Sequence, residues 1–375
     1  MVDLATKSLL HDKLRFLITI SGVAFAVALV FVQVGLFLGL MDNASLTIEH
    51  LDADLWVTSH NTPNIDFAHT FPEMYVHRVR SIPGVERADN LIVWFMNVNL
   101  PTGAVEGTEV YALEDFERWN FPWKLASGNL RDLRRGNYFI LDDSAKKRWG
   151  KFEPGEYREI LGTRLKIIGR AMDAKSFTTT PLTFLDYRLA QRLNPSQLEG
   201  NTTYILVKVA PGTDIEAVRA EIRRRLPYND VFTRREWAAR SRRYWVESTG
   251  LGLNMYLTVF LGCLVGIVVV AQTLYTSTME HIREFGTVKA IGGGNRDIYI
   301  ILGKQAGIAA IAGFALGAVM SYAIRPLIYK IDLKLVIPPQ LSVAVFFGAI
   351  VLCLAAAMIS FRKVASIDPA LVFRT

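Results

Sequence analysis

Residues 278–297, TMEHIREFGTVKAIGGGNRD, form a short charged stretch between two long apolar runs, and that contrast decides the fold. Upstream, 248–279 carries no Asp, Glu, Lys or Arg; downstream, 298–324 carries only Lys304 before Arg325. A charged side chain at the centre of a bilayer costs about 2.5–3.5 kcal/mol on insertion scales. The two runs therefore read as membrane spans and the charged piece as the loop joining them. Such a loop is either a plain connector or a short helix presented to a partner.

Two further apolar blocks, 16–41 and 335–361, lie toward the ends of the chain. Each of the four exceeds the roughly 20 residues that cross a hydrocarbon core of about 30 Å at ~1.5 Å per residue. With 51% hydrophobic residues and a mean hydropathy of +0.24 over 375 residues, the chain reads as a membrane protein. The fold class expected is an α-helical membrane protein with four transmembrane helices and a large α+β extracytoplasmic domain between the first and second. The first block is read as a retained anchor. Its apolar part is about twice the ~7–15 residues of a signal-peptide core, and no small-residue cleavage site follows.

The net charge of +7 does not point to nucleic acid. Residues 42–247 hold 29 basic and 28 acidic side chains, so the large domain is close to neutral. The surplus lies beside the spans, where it sets orientation in a bilayer. Lys7, Lys13 and Arg15, then Arg283, Lys289 and Arg296, then Arg362, Lys363 and Arg374 share one side if all four blocks cross. The positive-inside rule makes that side cytoplasmic, with both termini there. Cys263 and Cys353 fall inside spans and read as small apolar fillers.

The resulting map starts with a cytoplasmic amphipathic helix over 1–15 and transmembrane helix one over 16–41. The extracytoplasmic domain takes 42–247. Transmembrane helix two with a stalk follows over 248–279, then the charged cytoplasmic segment 280–297 and helix three over 298–324. A short external loop at 325–334, helix four over 335–361 and a cytoplasmic tail over 362–375 complete the chain. As one helix, 248–279 would be about 48 Å long, more than a bilayer is thick. The helical pattern from Arg234 is expected to run through Trp245 into it without a break.

Within the large domain, 54–59, 91–100, 204–209 and 230–232 read as strands, with helices at 72–82 and 213–226. Two β-α-β halves, about 50–100 and 201–233, thus frame a strand-rich insert at about 101–200, with a stalk helix at about 234–247. In the spans, Gly35/Gly39, Gly262/Gly266, Gly303/Gly307 and Gly313/Gly317 are small residues four apart, a spacing that lets helix backbones pack closely.

Catalytic signatures do not appear. Gly292-Gly-Gly has no following Lys-Ser/Thr, so there is no phosphate loop and no ATP hydrolysis is expected of this chain. H-E-x-x-H, C-x-x-C and G-x-S-x-G are missing, and the six histidines are scattered. No enzymatic activity, metal or cofactor is expected.

With this layout and loop in hand, the chain resembles a permease of the MacB/FtsX family of ABC systems. MEHIREFGTVKAIGGGNRDI is similar to the family's loop between spans two and three, which forms a coupling helix against the ATPase subunit. The resemblance implies that Glu280, Arg283, Glu284, Phe285, Gly286, Lys289, Ala290, Ile291 and Gly292 meet that subunit. Phe285 stands where a small aliphatic is common, and the glycines at 292–294 are richer than usual. SLLHDKLRFLITISGVAFAVAL, the SIPGVERADN segment and the tail FRKVASIDPALVFRT carry further likeness. The DevC-like branch, with which cyanobacteria export glycolipids through a membrane-fusion adaptor, is the branch it looks most like.

What the resemblance implies is a homodimer of permeases bound to a separate ABC ATPase, which holds ATP and Mg. A membrane-fusion adaptor and an outer-membrane channel would complete the exporter in a bacterial inner membrane. The alternative is an FtsX-type relay that regulates an envelope enzyme without transport.

Overall fold

The computed structural model describes residues 13–280, 294–331 and 333–365. It divides into a large unit, Leu40–Leu251, and a helical unit of Met1–Gly39 with Gly252–Thr375. The chain begins with helix α1 (Lys13–Asn43).

The large unit carries β1 (Leu55–Ser59), β2 (Phe71–Pro72), helix α2 (Tyr75–Arg80), β3 (Val85–Asn99) and β4 (Val105–Leu113). Then come β5 (Leu125–Ser127), β6 (Tyr138–Asp142), β7 (Tyr157–Ile160), β8 (Thr163–Ala171) and β9 (Leu182–Asp186). It ends with β10 (Asn201–Thr202), β11 (Tyr204–Val209), helix α3 (Ile215–Arg225), β12 (Asn229–Thr233) and helix α4 (Arg234–Glu247). Ten strands form one sheet in the order β12-β1-β11-β3-β4-β9-β6-β8-β5, with β7 paired to both β3 and β8; β2 and β10 pair apart from it.

Strand β3 organises this sheet. Its 15 residues pair with β11 over 85–91 and with β4 over 91–99. Because β7 bonds β3 at Val98↔Ile160 and β8 at Glu159↔Arg164, strands β3, β4, β9, β6, β8 and β7 close into a ring. Closure removes open edges, and the alternating residues Val98, Val110, Phe139, Ile160, Ile167 and Leu185 share one buried cluster. The strand-rich insert supplies most of this ring, and β3, from the first β-α-β half, completes it.

The two halves meet at β1, which lies between β11 and β12 and is antiparallel to both. Successive side chains on a strand point to opposite faces. Leu55 and Val57 therefore join Val79 of α2 and Ile222 of α3, while Trp56 joins Trp237 of α4 on the other side. Helix α4 starts at a capping box in which Thr233 accepts from the Glu236 amide and Glu236 accepts from the Thr233 amide. Trp237, Ala238, Ser241 and Trp245 form its buried face at helical spacing.

The expected unbroken helix through Trp245 does not form. The Ser248 amide donates to Tyr244, and Gly250 takes φ +71, a left-handed conformation that ends helices. The next helix, α5 (Leu251–Glu280), starts after it, followed by α6 (Asn295–Lys330) and α7 (Pro339–Ala365). Phe16–Asn43, Leu251–Thr276, Tyr299–Lys330 and Pro339–Met358 are long and apolar enough to cross a membrane.

The largest departures from the expected span boundaries flank the loop between α6 and α7. Residues 325–330, read as loop, continue α6 with Pro326 inside it and the Arg325 guanidinium over the Tyr329 ring. Helix α7 starts at Pro339 rather than at 335. A proline drives its predecessor into extended backbone, so Pro338-Pro339 keeps 335–338 out of the helix and leaves Pro339 at the first helical position.

Candidate functional site

The charged stretch is bounded on both sides by described helix. Glu280, the last residue of α5, is exposed, and α6 begins at Asn295, two residues before the expected end of the stretch. Arg283, Glu284, Phe285, Gly286, Lys289, Ala290, Ile291 and Gly292 lie outside the described residues. Lys304 sits in α6 with its side chain exposed beside the buried Gln305 and Ala306.

The helical unit explains most of the spaced glycines. A Cβ on Gly313 would come within 2.5 Å of Val23, and one on Gly317 within 2.8 Å of Val27, so α6 rides closely on α1. Gly262 faces Leu29, while Gly266 faces Ala26 and Leu352, which brings α5 against α1 and α7. Gly22, which spacing did not single out, meets Val269 in the same way.

Gly35 and Gly39 are close-packed for another reason. They receive not a helix but the extended residues Lys334–Val336, and the Val336 amide donates to the Gly35 carbonyl at 3.1 Å. A side chain on Gly39 would run into the Lys334 carbonyl. A Cβ on Gly303 or Gly307 would meet nothing within 4 Å among the described residues, so neither glycine is required by a close helix contact there. Between α1, α5 and α7 lies a cleft of about 450 Å³ walled by apolar groups including Val27, Cys263, Ile267 and Leu352.

In the large unit the polar contacts gather around α4. The Ser241 hydroxyl donates to the Ala44 carbonyl at 2.9 Å, and Arg242 donates to Ser45 and Glu49. Arg240 donates to the Thr62 carbonyl and lies over the Phe232 ring, while the Arg243 side chain is exposed near Glu247. Near the end of α4, Trp245 stacks on Phe177 with ring centroids 3.8 Å apart and contacts Phe67 at 5.7 Å. Phe177 belongs to 172–180, the segment joining β8 to β9. The Asp142 carboxylate also holds that segment, accepting from the Ala174 amide at 3.1 Å, and burial pushes its pKa up to about 6. The histidines serve separate contacts: His50 stacks on Trp123 and His60 pairs with Asp230.

Among the described residues, one leading apolar helix, a large α+β domain and three further apolar helices define a multi-pass membrane protein. Residues 16–225 match the MacB-like periplasmic core domain and residues 256–369 the FtsX-like permease C-terminal domain. The chain belongs to this MacB/FtsX family of ABC transporter permeases.

A curated relative along the whole chain is an uncharacterized ABC transporter permease of Mycobacterium tuberculosis, 24% identical over 380 residues, covering 100% of this chain and 99% of the relative. An uncharacterized ABC transporter permease of Mycobacterium bovis is 34% identical over 110 residues, 29% of this chain; the chain spans 31% of that relative's length. Among solved structures, the periplasmic region of MacB from Actinobacillus actinomycetemcomitans aligns with TM-score 0.40 and 12% identity, over 50% of this chain and 92% of that one. The extracellular domain of YknZ from Gram-positive bacteria aligns with TM-score 0.37 and 14% identity, over 48% and 98%.

Proposed function

We propose that this chain is the non-enzymatic membrane subunit of an ABC exporter, working as a homodimer with two copies of a separate ATPase. The reading rests on one observation above the others: a conspicuously charged segment interrupts two of the longest apolar helices, α5 and α6. A segment of that kind, bearing Glu280, Arg283, Glu284 and Lys289 on the cytoplasmic side, is suited to dock a partner by complementary charge. The partner holds ATP and Mg; this chain holds neither.

Closure of the ATPases moves the 280–292 segment and with it α5. The motion reaches the large domain, placed on the outer side, through residues 248–250, where Gly250 gives the chain a joint between α5 and α4. Coupling between distant sites needs elements with two discrete arrangements, and two stiff helices meeting at a joint can supply them. The cargo is a lipid, a glycolipid or another hydrophobic molecule, handed on with a membrane-fusion adaptor and an outer-membrane channel.

The test is photo-crosslinking in the native membrane from a reactive residue placed at Glu284 and, separately, on the large domain at Tyr228, which is 82% exposed. The expected products are an ABC ATPase from the first position and an adaptor from the second. An envelope hydrolase captured at Tyr228 instead of an adaptor contradicts export in favour of a relay. Failure to capture an ATPase at Glu284 contradicts the docking assignment.

A further inference from the structure

Two carboxyl groups are buried together in the large unit, and the function proposed above makes no use of them. Asp66 lies on the segment after β1 and Glu109 on β4; they are 3% and 0% exposed and lie within hydrogen-bonding reach of each other. Their four oxygens are nearly accounted for. Asp66 Oδ1 accepts from the Ser176 hydroxyl at 2.9 Å, and Oδ2 is within 3.5 Å of the Asn64 amide. Glu109 Oε1 is 3.4 Å from the Tyr111 hydroxyl. Glu109 Oε2, fully buried, makes no hydrogen bond among the described residues, although the Ser176 hydroxyl lies near this carboxyl as well.

A single proton shared between two buried carboxyls supplies the donor that Glu109 Oε2 otherwise lacks. Two ionised carboxylates buried next to each other repel strongly, and a buried polar atom without a partner is costly. A hard cation is a poorer occupant, because calcium takes about 6–8 oxygens and here most are already committed to donors.

The surroundings of the pair come from several elements. Tyr111 of β4 and Tyr204 of β11 face it, and both phenols are held neutral by burial first and by the neighbouring carboxyls second. The Trp245 indole N–H of α4 lies near Asp66 without making a hydrogen bond to it. The charged members of the 172–180 segment are Asp173, which pairs with Lys124, and Lys175. Burial is the main influence raising the affinity of both carboxyls for a proton, and for Glu109 the charge of Asp66 comes next.

The pair also has a route to solvent and something to hold. The Thr180, Thr178 and Ser176 hydroxyls form a chain, with links of 2.9 and 3.1 Å, that leads from a partly exposed surface to Asp66. The segment that bears them is strained, since Asp173 and Thr179 take φ +66 and +54, a region that a β-branched residue such as Thr179 seldom adopts. Its Phe177 is the ring stacked on Trp245 near the end of α4.

We propose that Asp66 and Glu109 hold one proton between them at neutral pH, and that this shared proton keeps the 172–180 segment seated on the end of α4. Loss of that proton leaves two carboxylates facing each other, and the strained segment lets go. The pair is thereby a pH-responsive latch on the helix that precedes the 248–250 joint. The sign follows from linkage. A group that binds its proton more tightly in the folded state contributes stability that is lost as pH rises through its folded value.

The test uses the full-length protein in nanodiscs. Infrared spectroscopy of the wild type at pH 7 is expected to show a buried protonated-carboxyl band that disappears at high pH and is missing from Glu109→Gln. Tryptic cleavage after Lys175, measured against cleavage elsewhere in the chain, is expected to speed up severalfold as the pH is raised above neutral in the wild type but not in Glu109→Gln or Asp66→Asn. Should the glutamine variant fail to fold, the wild-type titration and Asp66→Asn decide the matter. No band at pH 7, or equal acceleration in all three proteins, overturns the proposal. So does stabilisation of the segment by added calcium with no response to pH, which would make the pair a cation site.

Discussion

The helical unit and the large unit solve the same packing problem with opposite materials. In α1, α5, α6 and α7 contact is made by removing side chains: Gly22, Gly262, Gly266, Gly313 and Gly317 let neighbouring helices approach, and Ala306, Ala310 and Ala356 fill the space between. In the large unit contact is made by adding them, with Trp56, Trp119, Trp237, Tyr111 and Tyr204 wholly buried and polar groups carried inside beside them. The difference follows from the solvent. Lipid offers no hydrophobic drive toward helix association, so close van der Waals approach must supply it, whereas water drives bulky apolar groups into a core.

That contrast can be broken most directly at Trp237, which is 0% exposed and stacked on Phe232 with centroids 5.3 Å apart. Trp237→Ala is expected to cost about 3–5 kcal/mol in chemical denaturation followed by the fluorescence of the large unit. A loss under 1 kcal/mol would mean that α4 is not part of that core.

A smaller effect, of the opposite chemistry, is expected in the helices. Gly39→Leu sets a side chain against the Lys334 carbonyl and is expected to cost about 1–3 kcal/mol in unfolding from detergent micelles. Gly303→Leu meets open space and is expected to stay within about 0.5 kcal/mol of the wild type. Equal losses at the two sites would undo the account of why each glycine is there.

The smallest effect expected is electrostatic. The Asp142 carboxyl, held near 6 by burial, takes up a proton on folding between pH 7 and pH 5, where the unfolded chain does not. Stability therefore rises as pH falls through that window, by about 1 kcal/mol, and Asp142→Asn flattens this part of the profile. A wild-type and variant profile of the same slope contradicts it.

The helical unit was the more legible of the two. Its spans stand out because a charge-free run of that length has few other uses, and the shortfalls came at prolines and glycines. Pro338-Pro339 delays α7, Pro326 does not stop α6, and Gly250 interrupts what hydropathy alone makes continuous. The spacing of small residues located close contacts at Gly262, Gly266, Gly313 and Gly317. It was silent on whether the neighbour is a helix, an extended strand of chain as at Gly35 and Gly39, or open space among the described residues as at Gly303.

In the large unit the local pattern placed β1, β11, β12 and α3 well, because alternation and turn residues are local signals. The closure of the ring was not visible. It depends on Ile160 meeting Val98, a pairing that neither stretch announces by itself. The Asp66–Glu109 pair was invisible for the same reason. An isolated Asp or Glu in a sequence reads as surface, and burial becomes apparent when β4 and the segments at 64–67 and 172–180 are brought together.

The segment at 278–297 carries the charge that the apolar runs on either side of it lack. The most direct measurement is ATP hydrolysis by the partner ATPase, reconstituted in nanodiscs with the wild type or with Glu284→Lys. If this segment is where ATP-driven force enters, Glu284→Lys inserts and melts like the wild type but loses most of the stimulation of ATPase activity. Full stimulation by the variant would contradict the assignment.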